Sequence, residues 1–359
     1  MNGRLIPADA APPRFVHAWR DLARSAADPN PCHEPEMVLT AARHLDRPGS
    51  LTIAAVGSDD RLTACLPVWS GRYWNRLPVR AVSTWQHAYS YLGTPLLDGD
   101  APVAAAGALL DLLSRAHLGR LLVLNTCPTG GAVADALRTA AAERGTRVYA
   151  DWEVERAIAS ASDPSRVALR GKHLKDLRRT RRKLEAELGA PLTLTELTPD
   201  DAAIAAFLKL EASGWKGGAG SALACGHEEF FRELCEAFGR EDRMRFMALQ
   251  SGGRAVAMLC TMRAGDQWYW FKIAFDETYG ASSPGRQLML DVTDRLATSP
   301  SGTVFDSCAD PRNETINQLW TGRRAFATLL VPLPGRSAPA VSVLATASAR
   351  RHRRKGEQL

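Results

Sequence analysis

The sequence predicts an α/β protein built from two related domains, each with a mixed, mostly antiparallel sheet. Three observations carry this. The chain has 359 residues, about two ordinary domains. Its 45% apolar and 23% charged residues match a globular protein, which excludes wholesale disorder and collagen-like repeats. The order helix, strand meander, helix, strand, helix, strand occurs clearly in the first half and approximately again in the second.

Along the chain, an N-terminal helical region carries Trp19 and Leu22. Residues 51–56 and 62–69 read as a hairpin around Ser58-Asp59-Asp60. A strand-rich region runs to Tyr91. A helix at 103–117, an apolar strand at 120–126, a helix ending at Arg144 before Gly145 and a strand at 148–154 follow. Next comes an amphipathic helix. Val167, Leu174, Leu177, Leu184 and Leu188 share one face, with Asp163-Pro164 as its start signal and Gly189 as its stop. Beyond it lie a strand at 192–197, a helix capped by Thr198-Pro199-Asp200 and a helix at 227–238. A hairpin of 245–250 and 255–262 turns at Ser251-Gly252-Gly253, and an aromatic strand covers 267–275. A helix from Pro284, a short strand at 304–307, a helix around 316–320 and a strand at 325–331 complete the order. The domains then read as 1–160, a basic linking helix at 161–190, a second domain at 191–334, and a basic flexible tail at 335–359 that leaves the fold near Pro334.

Net charge is +6, unevenly spread. Residues 166–183 hold nine Lys/Arg against one Asp, and residues 336–359 six against one Glu, so the rest of the chain is acidic. The basic helix reads as a solvated face or an anion site. The tail reads as a solubilising segment or a weak membrane-surface or nucleic-acid patch. The seven cysteines are scattered and never form a CxxC pair, which argues against a disulfide framework or a structural zinc site. No apolar run reaches the ~18 residues of a membrane span, and the first residues have no apolar signal core. A cytoplasmic protein is the expectation.

Three segments carry chemistry. Ser282-Ser283-Pro284-Gly285 ends a loop after the aromatic strand and opens a helix. Serine suits the N-cap, proline the first helical position, and glycine allows close approach. Free amides and the positive end of such a helix form an anion site. Arg286 opposes the dipole unless an anion binds beside it. Residues 211–223, EASGWKGGAGSAL, set Trp215, Lys216 and Ser221 in a glycine-rich stretch, read as a surface loop or as a lid with an aromatic wall and a cation. Residues 305–326 bring Asp306, Ser307 and Cys308 to a strand end, where α/β ligands usually sit. Asp310 is then read as the cap of a helix near Pro311. Asp306 can deprotonate an amine. Cys308 reads as a buried structural thiol or a nucleophile with no assignable partner.

FKIAFDETY, the Ser-Pro-Gly helix start and GWKGGAGSAL resemble the tandem GNAT-fold acyltransferases. These are the cellulose-biosynthesis acetyltransferase-like group, related in architecture to the FemABX peptidoglycan aminoacyltransferases. The strong match covers residues 192–331. The first half matches in element order and in TWQHAYSYLGTPLL, residues 84–97. The better-known Q/R-x-x-G-x-G/A pattern is not reproduced: the nearby glycines are Gly280 and Gly285.

The resemblance implies two GNAT domains, a thioester donor on the second, and an acceptor in a cleft between them. The donor is acyl-CoA or a phosphopantetheine-bound acyl group on a carrier protein. It places the donor phosphate at Ser283, Pro284, Gly285 and Arg286, and the pantetheine arm along the strand through Phe271 and Ile273, with no metal. A small-molecule or peptide amine attacks the thioester directly. The candidate bases are Asp306 and His87, which lies between Trp85 and Tyr89. Trp215, Lys216, Ser221, Trp85, Tyr89 and Asp310 are the substrate-side candidates. Two alternatives remain: a tRNA-dependent aminoacyl transferase of FemABX type, and a non-catalytic nucleic-acid or membrane-binding module.

Overall fold

The computed structural model describes residues 2–45, 51–71, 79–169, 171–213, 220–335 and 338–356. Strand β1 (Gly3–Pro7) precedes α1 (Pro13–Arg24) and α2 (Pro35–His44); both helices begin with proline, whose missing N–H is not needed there. Next come β2 (Thr52–Gly57), β3 (Leu62–Gly71), β4 (Ala81–Thr84), β5 (Leu96–Leu97), α3 (Pro102–Arg115), β6 (Leu121–Pro128), α4 (Ala132–Glu143) and β7 (Tyr149–Ser160). The second half has α5 (Lys172–Leu188), β8 (Leu192–Leu197), α6 (Asp201–Ser213), α7 (Glu228–Gly239), β9 (Met244–Ser251), β10 (Arg254–Ala264) and β11 (Gln267–Phe275). A 3-10 segment (Glu277–Ser282), α8 (Pro284–Leu296), β12 (Val304–Asp306), α9 (Glu314–Leu319), β13 (Gly322–Pro332) and α10 (Ala338–Gly356) follow. None of the described helices is long and apolar enough to cross a membrane.

One unit comprises Met1–Glu155 with Ala325–Leu359. Its sheet runs β1-β2-β3-β4-β6-β13, with β5 on β3, and its one parallel step is β4 to β6. Leu109 and Leu113 of α3 and Leu137 of α4 pack on Leu66, Leu122 and Leu329 of the strands. Each such leucine contributes about 1.5–3 kcal/mol by leaving water. The tail departs from expectation. It folds as α10 and buries Ala338, Val341 and Ala345, the last two against Leu121, Val123 and Leu330. Small residues at i and i+4 supply that face, a weaker sequence signal than a leucine stripe.

His33 is buried in this unit, and burial pushes its pKa down to about 4, with the Thr94 backbone only partly offsetting this. The unfolded chain takes up the proton near its ordinary value, about 6.5. Stability is therefore fully present above pH ~6.5 and falls by up to about 3 kcal/mol as the pH drops toward 4. Thermal unfolding across that range should show the loss, and His33→Gln should flatten it.

The other unit is Arg156–Arg324. Its sheet runs β7-β12-β11-β10-β9-β8, with β11 to β12 as the one parallel step. Phe207, Phe231, Phe246 and Phe271 form an aromatic cluster joining α6 and α7 to β9 and β11. A second core holds Leu177 and Leu184 of α5, Leu288 and Val292 of α8, Leu249 and Trp270. Phe246 and Leu249, three apart in β9, point to opposite faces, so helices cover both.

The expected boundaries at 160, 190 and 334 therefore move. β7 and β13 each cross from one unit into the other, and α5 packs inside the second unit through Leu177 and Leu184. Arg181 of α5 donates to both Asp291 carboxylate oxygens, at 3.0 and 2.8 Å. The helix also starts later than its sequence signal. Asp163 instead closes a turn by accepting from the Ser165 amide at 2.8 Å, and Gly171, with a positive φ of 57°, precedes the first turn. Gly189 ends it as expected, with φ 74°.

Candidate active site

β11 is irregular at one point. Cys260 of β10 faces Lys272 while Thr261 faces Trp270, so Phe271 is an extra residue in β11. Such bulges bend a strand and re-aim its side chains. On the other side, the parallel pairing of β12 with β11 runs from Gln267–Val304 and ends at Tyr269–Asp306. Beyond Tyr269 no described strand pairs with β11 on that side. A groove of about 450 Å³ lies there. Leu210, Ile273, Phe275 and Met289 form its apolar wall; Ser283, Gly285, Arg286, Asn313 and Thr315 line its polar side.

The start of α8 is built to face this groove. Ser283 is left-handed (φ 51°, ψ 54°), an uncommon conformation for serine, and its side chain caps nothing. The Arg286 and Gln287 amides both return to the Ser283 carbonyl at 3.1 Å. Buried Gln287 donates through Nε2 to the Ser282 carbonyl at 2.6 Å and locks the preceding turn. A Cβ on Gly285 would meet Phe275 Cδ1 at 3.0 Å, so glycine here lets α8 approach β11 closely. The Arg286 guanidinium reaches Gln318 Oε1 at 3.4 Å, and its buried Nε has no acceptor among the described residues. An uncapped helix start beside an incompletely used guanidinium fits an anionic phosphate.

A charged pair missed at the sequence level lies in the wall. Glu211, 2% exposed, closes α6 and lines the groove. Its Oε2 accepts from the Ala222 amide at 2.9 Å, and its Oε1 lies 2.7 Å from Lys272 Nζ. His227 is close enough that burial first, and Lys272 second, push its pKa below the usual value. Glu211 ends an apolar helix before a glycine-rich stretch, so in sequence it passes for a surface residue.

The expected residues divide. Ser283, Gly285, Arg286 and Ile273 meet at the groove. Pro284 is the buried first residue of α8, and Phe271 stacks on Phe231 in the core rather than lining the groove (centroids 6.3 Å). Asp306 is fully buried. Arg156 binds it from two sides, Nε to Oδ1 and Nη2 to Oδ2, both 2.8 Å, and Oδ1 also accepts from the Cys308 amide at 2.9 Å. That geometry makes Asp306 a structural anchor and does not support its role as a base. Cys308 is itself buried with a positive φ of 49°. Asp310 does not cap α9; Asn313 does, accepting from the Ile316 amide at 3.3 Å. Asp310 instead accepts from the Arg312 amide at 2.9 Å. Ser221 is buried and its Oγ accepts from the Ala224 amide at 3.1 Å. Trp215 and Lys216 lie outside the described residues. His87 belongs to the other unit, where its ring sits 4.9 Å from Trp85 and 6.2 Å from Tyr89 and its Nδ1 accepts from the Tyr89 amide at 3.3 Å.

An antiparallel meander, a parallel step opening beside a bulged strand, and a helix start facing the gap make up a GNAT-like fold in this unit. The comparisons agree. Residues 171–311 match the family model described as an acetyltransferase (GNAT) domain. No curated protein sequence matches the chain. Among solved structures, FemX is 11% identical with a TM-score of 0.56, over 96% of this chain and 100% of its own. L-PGS from Bacillus licheniformis is 14% identical with a TM-score of 0.53, over 95% and 97%. A protein of unknown function from Bacteroides thetaiotaomicron VPI-5482 is 14% identical with a TM-score of 0.55, over 89% and 96%. At these identities the likeness is one of fold, and it spans both units. Residues 171–311 thus match a GNAT acetyltransferase domain, and the fold of the chain is similar to that of FemX and L-PGS.

Proposed function

We propose that the protein is an N-acyltransferase that moves an acyl group from a phosphopantetheine thioester, on coenzyme A or a carrier protein, to a primary amine. The observation that carries this is the groove running from the open β11 edge to the uncapped start of α8. The Gly285 turn and Arg286 hold the phosphate end. Leu210, Ile273 and Met289 take the apolar arm. The bound thioester supplies the activated acyl carbon. Glu211 accepts the proton of the attacking amine, and Lys272 holds that carboxylate in place. His87, Trp85 and Tyr89 remain candidates for the acceptor side.

The test is thiol release from acetyl-, octanoyl- and palmitoyl-CoA in the presence of simple primary amines. Amine-dependent release supports the reading; none from any donor overturns it. Arg286→Glu should raise the KM for the donor about tenfold or more with a smaller change in kcat, because it removes phosphate binding common to ground and transition states. A second reading, aminoacyl transfer from charged tRNA, draws on the basic α5 and demands tRNA binding that weakens steeply with salt.

A further inference from the structure

α5 carries more positive charge than its fold requires. Lys172, Lys175, Arg178, Arg179, Arg182 and Lys183 are all exposed, against the exposed acids Asp176 and Glu187. Arg179 lies 3.6 Å from Asp176; the other five make no ion pair among the described residues. Their spacing sets like charges three and four apart, as in Lys175–Arg179 and Arg178–Arg182, which destabilises a helix. No acid or side-chain cap offsets the dipole at the first turn, where Lys172 adds to it. Arg181 shows what a structural arginine does here, since it is tied to Asp291 and Glu185.

Beside these cations lies a second groove of about 450 Å³ between α5 and α8. Val167, Leu169, Leu174 and Leu290 supply its apolar lining; Arg178, the Arg181–Asp291 pair and Asp294 line its polar side. An apolar furrow flanked by unpaired cations complements an acidic amphipathic helix. α5 also packs on the 3-10 segment Glu277–Ser282, whose Glu277 and Gly280 line the donor groove. A partner on α5 therefore sits next to the donor entrance.

The donor groove has its own charge signature. Arg286 is the one cation among its described lining residues, and Glu277 and Glu211 also line it. Coenzyme A brings a diphosphate and a phosphate monoester that alone carries about −2 at neutral pH. Phosphopantetheine on a carrier protein brings a single phosphodiester, which one arginine and one helix start can match. Nucleic acid fits less well, because Phe275 is the one aromatic side chain in that lining against which a terminal base could stack.

We infer that α5 and its adjoining furrow are the docking surface for an acidic acyl carrier protein, which feeds its thioester into the groove at Gly285. This rests on the donor-groove reading. The test titrates the full-length protein with octanoyl acyl carrier protein, S-octanoyl-phosphopantetheine, bulk tRNA and anionic phospholipid vesicles, at low and high salt. The charged carrier should bind about tenfold or more tighter than the free thioester, and high salt should erase the difference. K175E/R179E/R182E should lose that advantage yet bind the free thioester as wild type does. K175Q/R179Q/R182Q provides a milder variant should charge reversal compromise folding. Equal carrier binding by wild type and variant overturns the inference, as does a carrier no tighter than the free thioester, or tighter binding of tRNA or vesicles. Failure of the free thioester alone, with α5-dependent carrier binding intact, overturns the donor-groove reading and leaves the docking surface standing.

Discussion

Glu211→Gln is expected to lower amine-dependent thiol release about 10²–10⁴-fold, the range lost with a positioned proton acceptor. Glutamine keeps an oxygen for the Ala222 amide, so the end of α6 stays tied. It cannot take a proton, and it removes the carboxylate 2.7 Å from Lys272. Part of the loss could then come from a less stable protein. Glu211→Gln combined with Lys272→Met separates the two effects, since it removes both charges together. Stability should recover toward wild type in the double variant while turnover stays low. Donor affinity, read by titration, should change little in either variant, because the phosphate contacts are at α8. Recovery of turnover with stability would show that the pair is structural only.

Arg156→Met should be the most destabilising single change in the second unit. Asp306 is 0% exposed and the Arg156 side chain 5%, so the variant leaves a buried carboxylate with only Arg324, 3.9 Å away, as its cation. Breaking such a pair costs about 3–5 kcal/mol. For a unit of this size each kcal/mol shifts the melting temperature by about 2–4 °C, so the fall should exceed about 6 °C. Arg156→Met with Asp306→Asn should recover most of it. The same pair examines the role of Asp306 in chemistry. At temperatures where it is folded, the double variant should retain turnover, because Asp306 faces Arg156 and the Cys308 amide. Loss of turnover in that folded variant would restore Asp306 as a base.

Much of the fold was legible because local signals agreed with tertiary ones. The aromatic strand at 267–275, the strand at 192–197, and the Pro284 helix start stand where periodicity and capping placed them. Asp200 caps α6 as read, accepting from the Ala203 amide at 2.8 Å. The domain boundaries were not legible, because β7 and β13 have ordinary strand sequences and nothing local specifies which sheet they join. α10 was missed because alanine and valine bury little area each. At the site, the turn announced itself through Pro284 at the first helical position and Gly285 at the close approach to Phe275, whereas Ser283 does not cap as its residue type suggested. Glu211 and Lys272 did not, since a carboxylate and an ammonium 61 positions apart become a pair only when α6 packs on β11. Asp306 misled because a strand-end carboxylate looks the same in sequence whether it faces a ligand or a buried arginine.

The central claim is that the turn at Gly285 and Arg286 holds the phosphate of a thioester carrier. Titration calorimetry of S-octanoyl-phosphopantetheine against wild type and Arg286→Glu tests it most directly. The account predicts saturable one-to-one binding to the wild type, weakened about tenfold or more by the charge reversal. Equal affinity for both proteins, or no saturable binding to the wild type, would contradict it.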